Sequence, residues 1–262
     1  MKAVILAGGM GTRIVEESHL KPKPMIEIGE HPILWHIMKI YSCQGVDEFV
    51  VCLGYKSGLI KDFFLNYHFY NSDFTIDLAT NSLDIHKCKP HQDIMKVTLV
   101  ETGLNTSTAG RLKRVAPYLE EEDAFCMTYG DGLADIDIKA LLDFHKSHGL
   151  KGTVTAVQPA GRFGLMAMHN DGRVGRFQEK PAGDGGWTNG GFFVFDRSVL
   201  DLLPENSDNL MLESHLLTKL SEEGQLMAYH HHGFWHCMDA MRDKHELESL
   251  WNSGRAPWKL WN

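Results

Sequence analysis

No stretch of the chain approaches the roughly 20 consecutive apolar residues that cross a bilayer. The first apolar run, Ala3 to Ala7, is cut by Gly8-Gly9 before it reaches the length of a signal-peptide core. Basic charge is scarce. With 26 Lys and Arg against 34 Asp and Glu, the formal net charge is −8, which excludes a general binder of nucleic acid or of anionic membrane surfaces. Any basic residues that matter must be gathered locally. The five cysteines (Cys43, Cys52, Cys88, Cys126, Cys237) are odd in number and scattered, and Cys52 and Cys126 lie in apolar runs. They read as reduced core residues rather than a disulfide framework, and the chain as soluble and cytoplasmic. Internal repeats, low-complexity segments and Pro/Ser-rich joints are absent. The expectation is therefore a single domain over 1–262, with a hairpin insertion at about 70–95 and a C-terminal extension at about 230–262.

What the sequence does have is concentrated at its start. Ala3-Val4-Ile5-Leu6-Ala7 breaks into Gly8-Gly9-Met10-Gly11-Thr12-Arg13, and Lys21-Pro22-Lys23-Pro24 follows. A short Val/Ile run ending in glycines is a buried strand feeding a loop whose bare backbone can approach a charged ligand. Unpaired amides with Arg13 and Lys23 beside them suit a triphosphate. Two better-known glycine loops are excluded. A Walker loop needs Gly-Lys-Ser/Thr where Gly11-Thr12-Arg13 stands, and a dinucleotide fingerprint needs a glycine at Ile14. A plain strand-to-helix turn would use the same glycines; Arg13 and Lys23 weigh against it.

Downstream, apolar positions at helical spacing after Pro32 (Ile33, Ile37, Ile40, Tyr41) predict a helix closed by Gly45. Phe49 to Leu53 predicts a strand, and Lys56 to Tyr67 a helix with Ile60, Phe63 and Phe64 inward. This alternation points to an α/β fold with a mostly parallel sheet flanked by helices, where ligands sit beyond the carboxyl ends of strands. Phe74 to Leu78 and Leu83 to His86 alternate about Thr80-Asn81-Ser82, as in an antiparallel hairpin. Val97 to Val100 resumes the sheet, Gly103 to Gly110 reads as a polar loop, and a helix begins at Arg111. Ala124 to Tyr129 is a strand ending in Gly130-Asp131-Gly132, so a carboxylate stands at a strand end. Further strands are expected at Thr153 to Val157 and Gly191 to Phe195, with a turn at Asn170-Asp171-Gly172. The tail from Leu247 to Asn262, carrying Trp251, Trp258 and Trp261, is expected to dock on the body or on a neighbouring subunit.

Asp131 has a use if a triphosphate occupies the first loop, since magnesium takes one or two carboxylates together with phosphate oxygens and water. An Asp between glycines is also a common turn former. Asp135 and Asp137 read as caps for the helix through Lys139 to Ser147. A second cluster of turns, Arg162-Phe163-Gly164, Gln178-Glu179-Lys180-Pro181 and Trp187-Thr188-Asn189-Gly190-Gly191, offers Lys180 for a second phosphate and Glu179 and Asn189 for hydroxyls. Gly190 leaves room for close backbone approach.

In this order the motifs resemble the sugar-1-phosphate nucleotidyltransferases nearly end to end. The residues that carry the resemblance are Leu6 to Arg13, Lys21 to Met25, Pro32 to Met38, Tyr129 to Gly132, Glu179-Lys180-Pro181 and Asn189 to Phe193. Gly110 to Arg114, and Gly233-Phe234-Trp235 leading to Met238-Asp239, resemble the cytidylyl branch. The resemblance implies a Rossmann-like fold, CTP and glucose 1-phosphate as substrates, Mg2+ as cofactor and a homo-oligomer, a hexamer in the family. It also implies in-line attack of the sugar phosphate on the α-phosphorus of CTP, giving CDP-glucose and pyrophosphate. By carry-over, Arg13 and Lys23 bind the triphosphate, Lys180 holds the sugar phosphate, and Asp131 with Asp239 holds Mg2+. Substrate contacts fall to Leu6, Ala7, Gly8, Gly9, Gly11, Thr12, Thr128, Tyr129, Gly130, Glu179, Asn189 and Gly190. Arg111 is a candidate for the cytosine or for the phosphates.

The chain departs from the family pattern at Ala109, where a second glycine is usual, and at Ile14-Val15. Another nucleotide or sugar with the same chemistry, and a non-catalytic nucleotide-sugar sensor, stand as alternatives. The sensor reading sits poorly with the charged residues Arg13, Lys23, Asp131, Lys180 and Asp239. His230-His231-His232 is set aside as a zinc site, because neighbouring histidines on a strand alternate faces. His86, Cys88 and His91 fit a solvated hairpin better than a metal site.

Overall fold

The computed structural model describes residues 1–11, 14, 19–88, 94–159, 161, 165–169, 171–178 and 186–261. In chain order, β1 (Lys2–Leu6) is followed by a 3-10 turn at Lys23–Met25, the two-stranded ribbon β2 (Glu27–Ile28) and β3 (His31–Pro32), and α1 (Ile33–Ser42). Next come β4 (Glu48–Leu53), α2 (Ser57–Tyr70), the hairpin β5 (Ser72–Asp77) and β6 (Ser82–Cys88), and β7 (Lys96–Glu101). Then follow α3 (Thr108–Val115), β8 (Ala124–Tyr129), β9 (Gly132–Ala134), α4 (Ile138–His148) and β10 (Gly152–Val157). The remainder comprises β11 (Leu165–Met168), β12 (Val174–Gln178), β13 (Thr188–Asp196), α5 (Thr218–Glu222), β14 (Leu226–His231), β15 (Trp235–Cys237) and α6 (Met241–Asn252).

Seven strands form the central sheet in the order β14-β10-β13-β8-β1-β4-β7. Every pairing is parallel except the two made by β13, with β8 and with β10. The central strands are buried on both faces, and their period of two divides the core into two layers. Ala3 and Ile5 pack with Ile33, Ile37 and Tyr41 of α1, whereas Val4 and Leu6 pack with Leu112 and Val115 of α3. Strand order reverses at β1. The chain leaves β1 toward β4 and β7 on one side and later returns to β8 on the other, so the loops after β1 and β8 diverge. That is the crevice where open α/β sheets bind ligands.

Several expectations shift. The helix expected from Arg111 begins at Thr108, so Ala109 and Gly110 belong to its first turn. Gly110 sits there because a Cβ would lie 2.8 Å from the Asp208 Cα and the Ser207 carbonyl. The turn at Asp171-Gly172 joins an antiparallel pair, β11 and β12, that sequence alone left unassigned. Asp137 does cap α4, accepting the Ala140 amide at 2.8 Å, but Asp135 instead faces His231 at 3.0 Å. The tryptophan tail docks on its own chain. Trp258 is fully buried, and its indole N–H donates to Nδ1 of His36 at 3.4 Å. Among the described residues, no helix is long and apolar enough to cross a membrane.

Candidate active site

Two backbone devices bring the ends of β1 and β8 together. The Gly130 amide donates to the Leu6 carbonyl at 3.1 Å, and a Cβ on Gly130 would lie 2.9 Å from that oxygen. Lys23 is presented by its prolines. Pro22 has the extended backbone that precedes a tight turn, and the Met25 amide closes that turn onto the Pro22 carbonyl at 2.8 Å. Asp239 arrives from the far end of the chain through a short ribbon, in which β15 pairs with β9 so that Cys237 opposes Gly132. The Met238 amide then donates to the Asp131 carbonyl at 2.9 Å. The buried Asp243 carboxylate accepts the amides of Asp239 and Ala240 at 2.9 and 2.7 Å, which fixes the start of α6 and the backbone of Asp239.

The side chains then converge. The Lys23 ammonium donates to Asp131 Oδ2 at 2.6 Å and to Asp239 Oδ1 at 2.7 Å, and its side chain is only 12% exposed. Burial by itself would lower the Lys23 pKa, but the Asp131 charge and the two carboxylate hydrogen bonds outweigh it and raise it. Ligand atoms of Asp131, Cys237 and Asp239 lie within 4.8 Å of one another, the one such group found among the described residues. Two carboxylates are hard oxygen donors of the kind Mg2+ takes. The Cys237 thiol is a soft donor and does not suit Mg2+.

These groups open onto a cavity of about 570 Å3, within the range of small-molecule sites. Leu6, Ala7, Gly8, Gly9, Gly11, Arg111, Thr128, Tyr129, Gly130, Asn189 and Gly190 all line it together with Lys23, Asp131 and Asp239. Thr12, Arg13, Glu179 and Lys180 lie outside the described residues. Arg111 is 4% exposed. Its guanidinium donates to the carbonyls of Leu53, Gly8 and Leu104 at 2.9, 3.0 and 3.3 Å and to the Thr102 hydroxyl at 2.7 Å. It clamps the glycine loop to the ends of β4 and β7.

Several lining residues were not singled out from the sequence, among them Glu213, Thr106, Thr108 and Cys237. Glu213 opens a π-helical turn, Glu213–Leu217, and its carboxylate accepts the Tyr129 hydroxyl and the Thr108 hydroxyl, the latter at 3.3 Å. Burial and the Glu213 charge both raise the Tyr129 pKa, so the phenol stays protonated. Thr106 and Thr108 line the cavity from the start of α3, and Cys237 is half-buried in the site rather than in the core. No motif flags Glu213; for Cys237, which ends β15 two residues before Asp239, that closeness in sequence was the available signal.

His230 and His232 both lie against Trp187, while His231 turns to Asp135, which is the alternation that set a zinc site aside. On the hairpin, exposed His86 hydrogen-bonds Thr75 at 2.7 Å, and His91 lies outside the described residues.

Known proteins resemble this chain at two levels, in fold and in sequence. UDP-glucose pyrophosphorylase, solved in complex with UDP-glucose, superposes with a TM-score of 0.67 over 97% of this chain and 99% of its own at 14% identity, a likeness of fold. In sequence, the glucose-1-phosphate cytidylyltransferase of Salmonella typhimurium is 53% identical over 261 residues, covering 100% of both chains. The probable glucose-1-phosphate cytidylyltransferase of Bacillus subtilis is 42% identical over the same full span. Residues 2–251 match the model of the family described as nucleotidyl transferase. With the strand-end crevice, the paired carboxylates and full-length identity in agreement, the chain belongs to the nucleotidyl transferase family.

Proposed function

We propose that this protein transfers CMP from CTP to α-D-glucose 1-phosphate, giving CDP-glucose and pyrophosphate. The observation that carries the reading is the convergence of Lys23, Asp131 and Asp239 at the crevice between β1 and β8. The relatives of Salmonella and Bacillus, alike over their full length, support the choice of nucleotide and sugar.

In the reaction, a phosphate oxygen of glucose 1-phosphate attacks the α-phosphorus of CTP. A new P–O bond forms, the bond to the β-phosphate oxygen breaks in line, and pyrophosphate leaves with that bond's electron pair. No covalent enzyme intermediate is needed, so catalysis is positioning and charge neutralisation. Asp131 and Asp239 would hold Mg2+, which when bound supplies charge neutralisation at the phosphates. Lys23 and Arg13 bind the triphosphate, and Lys180 holds the sugar phosphate. The glycine amides of Gly8, Gly9 and Gly11 approach the nucleotide closely because no Cβ intervenes. Arg111, which donates to three carbonyls and the Thr102 hydroxyl, keeps that loop in place. The Gly103 to Arg111 region, with Leu6 to Gly9, frames the base, and Asn189, Gly190 and Glu179 read the sugar.

The chain is proposed to act as one domain over 1–262, with the 70–95 hairpin and the 230–262 extension as additions, and to assemble as a homo-oligomer. The hairpin leaves Phe74, Ile76, Leu83 and Ile85 exposed, which supports an assembled form. Light scattering tests this; a monomer at micromolar concentration would refute it. The activity is tested by pyrophosphate release with Mg2+, CTP and glucose 1-phosphate, and absence of turnover would refute it.

A further inference from the structure

Lys23 raises a question of charge. Its ammonium stands 2.6 and 2.7 Å from the two carboxylates that would hold the metal, while the proposed reaction needs a cation at the triphosphate. Two unlike demands fall on one half-buried group.

We infer that Lys23 serves as the built-in counter-ion of the metal site, and that a divalent cation binding Asp131 and Asp239 displaces its ammonium toward the phosphates. The inference rests on the reading that these two carboxylates hold the metal. Asp131 and Asp239 bring two like charges to one ammonium, each side chain only about a quarter exposed (26% and 28%), and like charges so placed repel. The ammonium neutralises that repulsion and holds the pair in position. The same ammonium opposes a second cation, because two positive charges a few ångströms apart repel strongly at partly buried sites. The metal alone therefore binds weakly. When a triphosphate is present, the displaced ammonium gains new anionic partners, and metal and nucleotide bind with positive coupling through this one side chain. The 3-10 turn with its flanking prolines holds the Lys23 backbone fixed. The exchange then needs only rotation about the four-carbon side chain.

The test uses Mn2+ as the probe, with no nucleotide present, and counts free Mn2+ by electron paramagnetic resonance at fixed ionic strength. Lys23→Met, which keeps the stem and removes the charge, is expected to bind Mn2+ at least about tenfold more tightly than the wild type, a factor equal to about 1.4 kcal/mol. Lys23→Arg, which restores the charge, is expected to return to weak binding. The double variant Lys23→Met with Asp131→Asn is expected to lose the tight binding. Thermal melting supplies a second measurement: Mn2+ is expected to raise the Tm of Lys23→Met more than that of the wild type. Equal Mn2+ affinity and equal Tm response in Lys23→Met and wild type would overturn the inference while leaving the metal assignment standing. If Asp131→Asn and Asp239→Asn leave Mn2+ affinity unchanged in the presence of CTP as well, the metal assignment fails and the inference falls with it.

Discussion

Lys23 and Asp131 form an ion pair at 2.6 Å that joins the loop after β1 to the loop after β8. It spans the point where strand order reverses, so the charged centre of the site sits where the topology opens the sheet. Replacing Asp131 by Asn keeps the volume and removes the charge. Asp131→Asn is expected to lower Mg2+-dependent pyrophosphate release by at least about 100-fold, the scale seen when one electrostatic contributor is removed. Its circular dichroism is expected to remain that of the wild type. Near-normal rates at limiting Mg2+ would refute the assignment.

Asp243 acts on the same centre at one remove. Its carboxylate holds the amides of Asp239 and Ala240. Asp243→Ala is expected to cost about 1–2 kcal/mol of stability, as the loss of a helix N-terminal acceptor does. It is also expected to raise the Mg2+ concentration needed for half-maximal rate. Urea melts and a Mg2+ titration read the two effects separately.

Arg111 makes four hydrogen bonds with carbonyls and a hydroxyl in a fixed planar fork. Lysine cannot reproduce that fork. Arg111→Lys is expected to destabilise the fold by about 2–3 kcal/mol, the scale of charged hydrogen bonds lost in a buried setting. It is expected to raise KM for CTP more than it lowers kcat. Gly8→Ala tests the same clamp from the other side, since its Cβ would lie 2.0 Å from an Arg111 nitrogen.

His36 gives a pH signature. Burial, its largest cause, drives the imidazole from 6.5 to about 4. Its Nε2–H donates to the Ile28 carbonyl at 2.9 Å while Nδ1 accepts from Trp258, so both nitrogens are occupied in the neutral form. The unfolded chain takes up this proton near pH 6.5 and the folded one only near 4. The contribution to stability is therefore complete above about 6.5, declines as pH falls through that window and is gone below about 4. It amounts to roughly 3 kcal/mol. Burial also lowers His145 and His148, which give both proteins a slope of the same sign, so urea melts from pH 7 to 4 are expected to show a steeper loss of stability in the wild type than in His36→Gln.

The sheet was legible because β1, β4 and β8 are short apolar runs stopped by glycine, and buried parallel strands leave that trace. Lys23, Asp131 and Asp239 were legible as motifs, although nothing local shows that three such distant residues meet. That meeting depends on the β9–β15 ribbon, whose strands are three residues each and too short to carry a periodic signal. β11 and β12 escaped because Met166, Met168, Val174 and Phe177 face outward, so apolarity there marks no core. The start of α3 was misplaced because Ala109-Gly110 follows a polar stretch and looks like loop. Packing of Gly110 against the Ser207 carbonyl overrides its low helix propensity. Glu213 was invisible because its role depends on Tyr129 and Thr108, both distant in sequence.

The most direct test of the proposed activity is pyrophosphate release measured with Mg2+ across four nucleoside triphosphates and several hexose 1-phosphates. CTP with glucose 1-phosphate is expected to give the highest kcat/KM of the matrix. A preference for dTTP or UTP, or no turnover with any pair, would contradict it.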